Sequence, residues 1–104
     1  MKLWIDDVRL PPESLVPTYI WAQSVNDAKH VIEQIESGMY NGLELIDIDH
    51  DAGDFAEDGG DYIKLLDWLE ETGRNYPIRI HSMNVVGREN MRAIIQRNGW
   101  KEIL

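Results

Sequence analysis

An α/β fold built on an open parallel sheet is what this sequence predicts, and three observations lead there. Short apolar runs at 2–6, 18–22, 43–49 and 78–82 alternate with stretches of helical periodicity. Strands alternating with helices of about 10 to 15 residues argue for a parallel sheet with helices on both faces. Two of the runs end in carboxylates: Lys2-Leu3-Trp4-Ile5-Asp6-Asp7 and Leu45-Ile46-Asp47-Ile48-Asp49-His50-Asp51. Finally, Gly38, Gly73 and Gly99 stand where the helical patterns stop, as helix C-termini favour. At 104 residues with 43% hydrophobic content, the chain is expected to form a single domain over 1–104 with a real core.

Residues 2–6 read as a buried strand. The link that follows contains Pro11, Pro12 and Pro17, and adjacent prolines forbid an ordinary helix interior there. It is about a dozen residues long, near the minimum for a parallel crossover, so the first crossover is shortened. Thr18-Tyr19-Ile20-Trp21-Ala22 is β-branched and aromatic and reads as the second strand. Ser24 is placed to cap the next helix, with Asp27 three residues on as in a capping box. Val25, Ala28, Val31, Ile32 and Ile35 form its apolar face. Residues 43–49 are the third strand, followed by an acidic, Gly-containing loop to Gly60. Asp61 is expected to cap the second helix, whose stripe is Tyr62, Leu65, Leu66, Trp68 and Leu69. Ile78-Arg79-Ile80-His81-Ser82 is the fourth strand, entered through Pro77. A third helix near Gly87 turns Met91, Ile94 and Ile95 inward, and Trp100-Lys101-Glu102-Ile103-Leu104 reads as a fifth strand. The predicted strand order is 2-1-3-4-5.

Charge and composition narrow the functional classes. The formal net charge is −9, which disfavours general duplex DNA binding. The charge is uneven: Arg74, Arg79, Arg88, Arg92, Arg97 and Lys101 gather in the last third, so a patch meeting one phosphate group remains open. Cys is absent, which removes disulfides and thiolate metal sites. No apolar run approaches the roughly 20 residues needed to cross a bilayer, and the N-terminus lacks a signal-peptide pattern. The expectation is a cytoplasmic protein that does not engage membranes.

The acid-ended strands carry the chemistry. Like charges held close together in a poorly solvated site repel, and a divalent cation offsets that cost. In an open parallel sheet, ligands bind beyond the carboxyl ends of the strands where strand order reverses. In a 2-1-3-4-5 order that point lies between strands one and three. Asp6, Asp7, Asp49 and Asp51 are therefore the candidate metal ligands, and a divalent cation the candidate ion. Strand four delivers His81 and Ser82 to the same edge. Asp47 lies mid-strand in the same stripe and reads as a structural hydrogen-bond acceptor. The Asp47-x-Asp49-x-Asp51 spacing resembles an EF-hand opening, but Ala52 and Asp58 stand where that loop needs Gly and Glu.

Asp-Asp after the first strand, Asp after the third and Ser after the fourth are similar to a response-regulator receiver domain, of flavodoxin-like topology. Three further motifs sharpen the likeness: Asp6-Asp7-Val8-Arg9, Asp49-His50-Asp51, and His81-Ser82-Met83-Asn84-Val85-Val86-Gly87-Arg88-Glu89-Asn90-Met91. Together they resemble the cyclic-phosphate processing receiver domain family across nearly the whole chain. The resemblance implies Mg²⁺, or Mn²⁺, held by Asp6, Asp7 and Asp49, and a phosphoryl group met at Asp49 and Ser82. It implies an enzyme or binder for cyclic phosphate ends, of the RNA type. The candidate catalytic residues are then Asp49, His50, His81 and Ser82, with either imidazole as general acid or base. Arg9, Ser82, Asn84, Arg88 and Asn90 are candidates for phosphate contact. The partner is a phosphate-bearing small molecule or RNA end, and a protein partner stays open.

Two other readings remain at this level. One is a signalling receiver phosphorylated on Asp49. Against it, no cation follows Lys101 at the end of the last strand, where ordinary receivers carry a Lys. The other is a degenerate receiver serving as an interaction module.

Overall fold

The computed structural model describes residues 1–11, 19–38 and 42–104. Within them the chain forms β1 (Lys2–Ile5), β2 (Tyr19–Ala22), α1 (Val25–Glu36), β3 (Leu45–Ile48), a 3-10 helix (Gly53–Glu57), α2 (Ile63–Glu71), β4 (Ile78–Ile80) and α3 (Val85–Asn98). Thr18 and most of the Pro-containing link between β1 and β2 lie outside the described residues. The 3-10 helix was not expected; it shortens the acidic loop after β3.

All strand pairs are parallel and the order is β2-β1-β3-β4. Among the described residues, four strands are formed rather than five. The final segment does run beside β4: Ile78 donates its N–H to Lys101 at 2.9 Å, and Ile103 donates to Ile78 at 2.8 Å. That pairing amounts to a single parallel bridge, Ile78 to Glu102.

Alternation along the strands sorts the sheet into two faces. Leu3, Ile5, Ile46, Ile48, Ile78 and Ile80 form one face and share a core with residues of α1, α2 and α3. Each fully buried Leu or Ile contributes about 1.5–3 kcal/mol. The expectation of helices on both faces is corrected here: among the described residues, the helices pack on one. The topology dictates it. The crossovers β2-α1-β3 and β3-α2-β4 both advance in the same direction across the sheet, so right-handed connections deliver both helices to one side. Only the β1–β2 link runs the other way, and it carries prolines. The opposite face carries Lys2, Trp4, Tyr19, Trp21, Leu45, Asp47 and Arg79.

Helix ends follow the sequence closely, with one exception. Ser24 caps α1: its Oγ accepts from the Asp27 N–H at 3.0 Å and donates to Asp58 Oδ2 at 2.6 Å. Gly99 caps α3 in the left-handed region at φ 67°. Asp61 does not cap α2. Tyr62 holds that position without a side-chain hydrogen bond, while Asp61 Oδ1 accepts from the Ala52 N–H at 3.1 Å. The acid closes the loop instead of the helix. Among the described residues, no helix is long and apolar enough to cross a membrane.

Candidate metal centre

Three residues that follow directly on neighbouring strands meet at one edge of the sheet. Asp6 follows β1, Asp49 follows β3 and His81 follows β4. Each is tied by its backbone to the adjacent strand. Asp6 donates its N–H to Ala22 at 3.3 Å, Asp49 to Ile5 at 2.9 Å and His81 to Ile48 at 3.0 Å. Strand spacing, about 4.8 Å between neighbours, therefore sets the spacing of the side chains. One ligand atom from each of Asp6, Asp49 and His81 lies within 4.8 Å of the others. Ligand atoms on a divalent cation with bonds of about 2.1 Å sit up to about 4 Å apart, so a small closure suffices. The closest pair, His81 Nε2 and Asp6 Oδ2, is already at 2.9 Å.

Each carboxylate has one oxygen held by backbone. Asp6 Oδ1 accepts from Val8 N at 3.0 Å and Arg9 N at 2.8 Å, and Asp49 Oδ1 accepts from His50 N at 2.8 Å. The second oxygen of each is thereby aimed. Burial pushes the Asp6 carboxyl up, but the Arg9 and Val8 N–H groups and His81 outweigh it, and its pKa falls below the usual value. Asp7 behaves oppositely. Burial raises its pKa, and the Asp6 and Asp49 carboxylates push it further up. This is unbalanced negative charge, the condition a cation relieves. The chain bends at Asp7, whose Oδ2 faces Gly53. Gly53 has φ +56°, and a Cβ there would collide with that oxygen.

His81 is the most constrained of the set. Its Nδ1 lies 2.7 Å from Asp47 Oδ1, and its ring stacks on Trp4 at 3.9 Å with the planes 2° apart. Trp4 is itself fixed by donating Nε1–H to the Arg9 carbonyl at 2.8 Å. Asp47 thus has the hydrogen-bonding role read from the sequence.

A second group stands beside the first. His50 Nδ1 lies 2.8 Å from Asp51 Oδ1, and Asn84 Nδ2 lies 3.4 Å from that ring nitrogen. Asn84 also caps α3, its Oδ1 accepting from the Gly87 N–H at 2.9 Å. The His50 ring rests against Gly87, where any Cβ would collide with it. Asp51, expected among the metal ligands, is paired here with His50.

The phosphate-contact candidates separate. Buried Ser82 accepts from the Asn84 N–H at 3.1 Å and shapes the turn into α3. Arg9 is exposed beside Asp6. Arg88 is close enough to Glu102 to lower that carboxyl's pKa, and Asn90 is exposed further along α3. Sequence reasoning placed His81 among catalytic residues; its position in the cation cluster was not distinguished. Alternation from Arg79 to His81 was the available signal, since it puts His81 on the Asp47 face.

A family model described as Cyclic-phosphate processing Receiver domain matches residues 1–97. No curated protein and no solved structure matches the chain.

Proposed function

This chain belongs to the cyclic-phosphate processing receiver domain family, and on that premise we propose that it binds and opens cyclic phosphate ends, of the RNA 2′,3′ type, at a divalent-cation centre. The observation that carries the reading is the approach of Asp6, Asp49 and His81 to within 4.8 Å from three adjacent strands. Two carboxylates and an imidazole suit a divalent ion, Mg²⁺ or Mn²⁺; Asp7, outside that cluster, feels the charge of both carboxylates. When bound, such an ion polarises a phosphoryl oxygen and acidifies a water.

The remaining roles belong to the side chains. His50 is the acid–base residue: Asp51 engages its Nδ1 at 2.8 Å, which leaves Nε2 for the reacting water. The attacking water loses a proton to His50 as its oxygen bonds phosphorus. The bond to one ribose oxygen breaks, and the same proton returns to that oxygen, leaving a phosphomonoester and a hydroxyl. Arg9, whose N–H bonds Asp6, and Asn84, beside His50, are assigned the phosphate contacts, and the guanidinium fork matches a phosphate edge.

Calorimetry with Mg²⁺ and Mn²⁺ tests the centre. Binding by the wild type that is lost in Asp49→Asn is expected; unchanged affinity in that variant would refute the site. A 2′,3′-cyclic nucleotide assay tests the reaction, with hydrolysis that requires both the ion and His50. Acid-labile phosphate on Asp49 after treatment with a small phosphodonor would favour a signalling receiver instead. No affinity for any divalent ion would favour an interaction module.

A further inference from the structure

Asp47 is fully buried, yet its Oδ2 accepts no hydrogen bond among the described residues. The nearest opposite charge is the Arg79 guanidinium, with Nη1 at 3.8 Å, an ion-pair distance too long for a hydrogen bond. A buried carboxylate left half satisfied is costly and calls for a reason beyond packing. The reason lies at its other oxygen. Asp47 Oδ1 is 2.7 Å from His81 Nδ1, and the imidazole is clamped flat against Trp4. Stacking fixes the plane of the ring, and Asp47 fixes its rotation within that plane. Nε2 is then delivered to Asp6 Oδ2, inside the cluster with Asp49.

We infer that Asp47 is a positioning residue that holds the His81 proton on Nδ1, so that the Nε2 lone pair faces the cation and the centre prefers Mn²⁺ or Zn²⁺ to Mg²⁺. The inference rests on the cation centre described above and adds its selectivity. A neutral imidazole carries its proton on one nitrogen and its lone pair on the other. A buried acceptor at Nδ1 selects the tautomer that ligates through Nε2. Without an ion, an Nε2–H donates to Asp6 at 2.9 Å; a bound ion would take the place of that proton, and Asp47 would keep the other one on Nδ1. Mg²⁺ favours oxygen donors and water, whereas imidazole suits the later first-row ions. Arg79 partly balances the buried charge without competing for the oxygen that His81 uses.

Calorimetry with Mn²⁺, Zn²⁺ and Mg²⁺ on the full chain, Asp47→Leu and Asp47→Asn tests the inference. The wild type is expected to bind Mn²⁺ and Zn²⁺ more tightly than Mg²⁺. Asp47→Leu is expected to lose about 10–100-fold in Mn²⁺ affinity, with a smaller loss for Mg²⁺. Asp47→Asn, whose amide oxygen still accepts from Nδ1, should keep most of it. Nitrogen-15 NMR of the Zn²⁺-loaded wild type reads the tautomer without any variant, and a His81 proton on Nδ1 is expected. A proton on Nε2, Mg²⁺ bound as tightly as Mn²⁺, or equal Mn²⁺ affinity in Asp47→Leu and wild type would each overturn the inference and leave the centre standing. A wild type that binds none of the three ions overturns the centre and the inference together.

Discussion

Gly87 shows how one missing side chain positions a reactive one. It lies in the first turn of α3 against the His50 ring. In an ordinary helix, Gly→Ala stabilises by about 0.5–1 kcal/mol. Here the added carbon meets the imidazole, so the sign reverses. Gly87→Ala is expected to destabilise by about 1–3 kcal/mol and to displace His50. Urea denaturation checks the first effect, and the cyclic-nucleotide assay the second. Asp6 and Asp49 were legible from sequence because both end apolar runs, and a strand that stops in an acid aims it at the sheet edge. Asp51 was harder to assign. Spacing along one strand cannot tell that His50 takes Asp51 as its partner. His81 was legible as a site residue but not as a member of the cation cluster, because that depends on its 2.9 Å approach to Asp6, which lies 75 positions away in sequence.

Elements are held by caps and by paired charges between them. Ser24 both caps α1 and donates to Asp58, so Ser24→Ala is expected to cost about 1–2 kcal/mol, read as a shift in the urea midpoint. At the opposite end of α1, Glu36 accepts from Arg74 Nη2 at 2.9 Å and from the Tyr76 hydroxyl, joining the helix to the approach to β4. Arg74 holds the Glu36 carboxyl below its ordinary 4.5. That stabilisation is present above pH 4.5 and is lost as the pH falls through the lowered value. Burial, and then Glu36, push the Tyr76 phenol from its ordinary 10 up to about 12. Its contribution is present below pH 10 and is lost as the pH rises through about 12. Glu36 is 32% exposed, so solvent screening limits the acid arm to about 0.5–1 kcal/mol. Urea midpoints across pH should show both arms, with Tyr76→Phe flattening the alkaline one. The helices themselves were legible because their apolar positions recur at regular spacing. The role of Asp61 was not: a cap and a loop closure look alike until the fold shows that Ala52 N–H lies nearer.

At the scale of the whole molecule, the described helices cover the sheet on one side, and the acids gather at one end of it. The net charge of −9 makes that end a strong attractor for divalent ions. An ion that binds only the folded chain stabilises it by about 2.7 kcal/mol at a hundredfold excess over Kd. For a domain of this size, that is a rise in Tm on the order of 10 °C. Thermal melts with Mn²⁺ should show it in the wild type and lose it in Asp49→Asn. The parallel sheet was legible from the alternation of strand and helix patterns, and so was its β2-β1-β3-β4 core. The one-sided layering of the described helices follows from the common direction of the crossovers β2-α1-β3 and β3-α2-β4, which emerges only when each crossover is given a direction. The inner strands of that sheet are β1 and β3, each hydrogen-bonded on both edges. Their amides should exchange with deuterium only when the whole chain opens, later than those of β2. Asp6 and Asp49 hang from those two strands, so their geometry outlasts fraying at the margins. Whatever docks there meets donors prearranged by the last part of the protein to come apart.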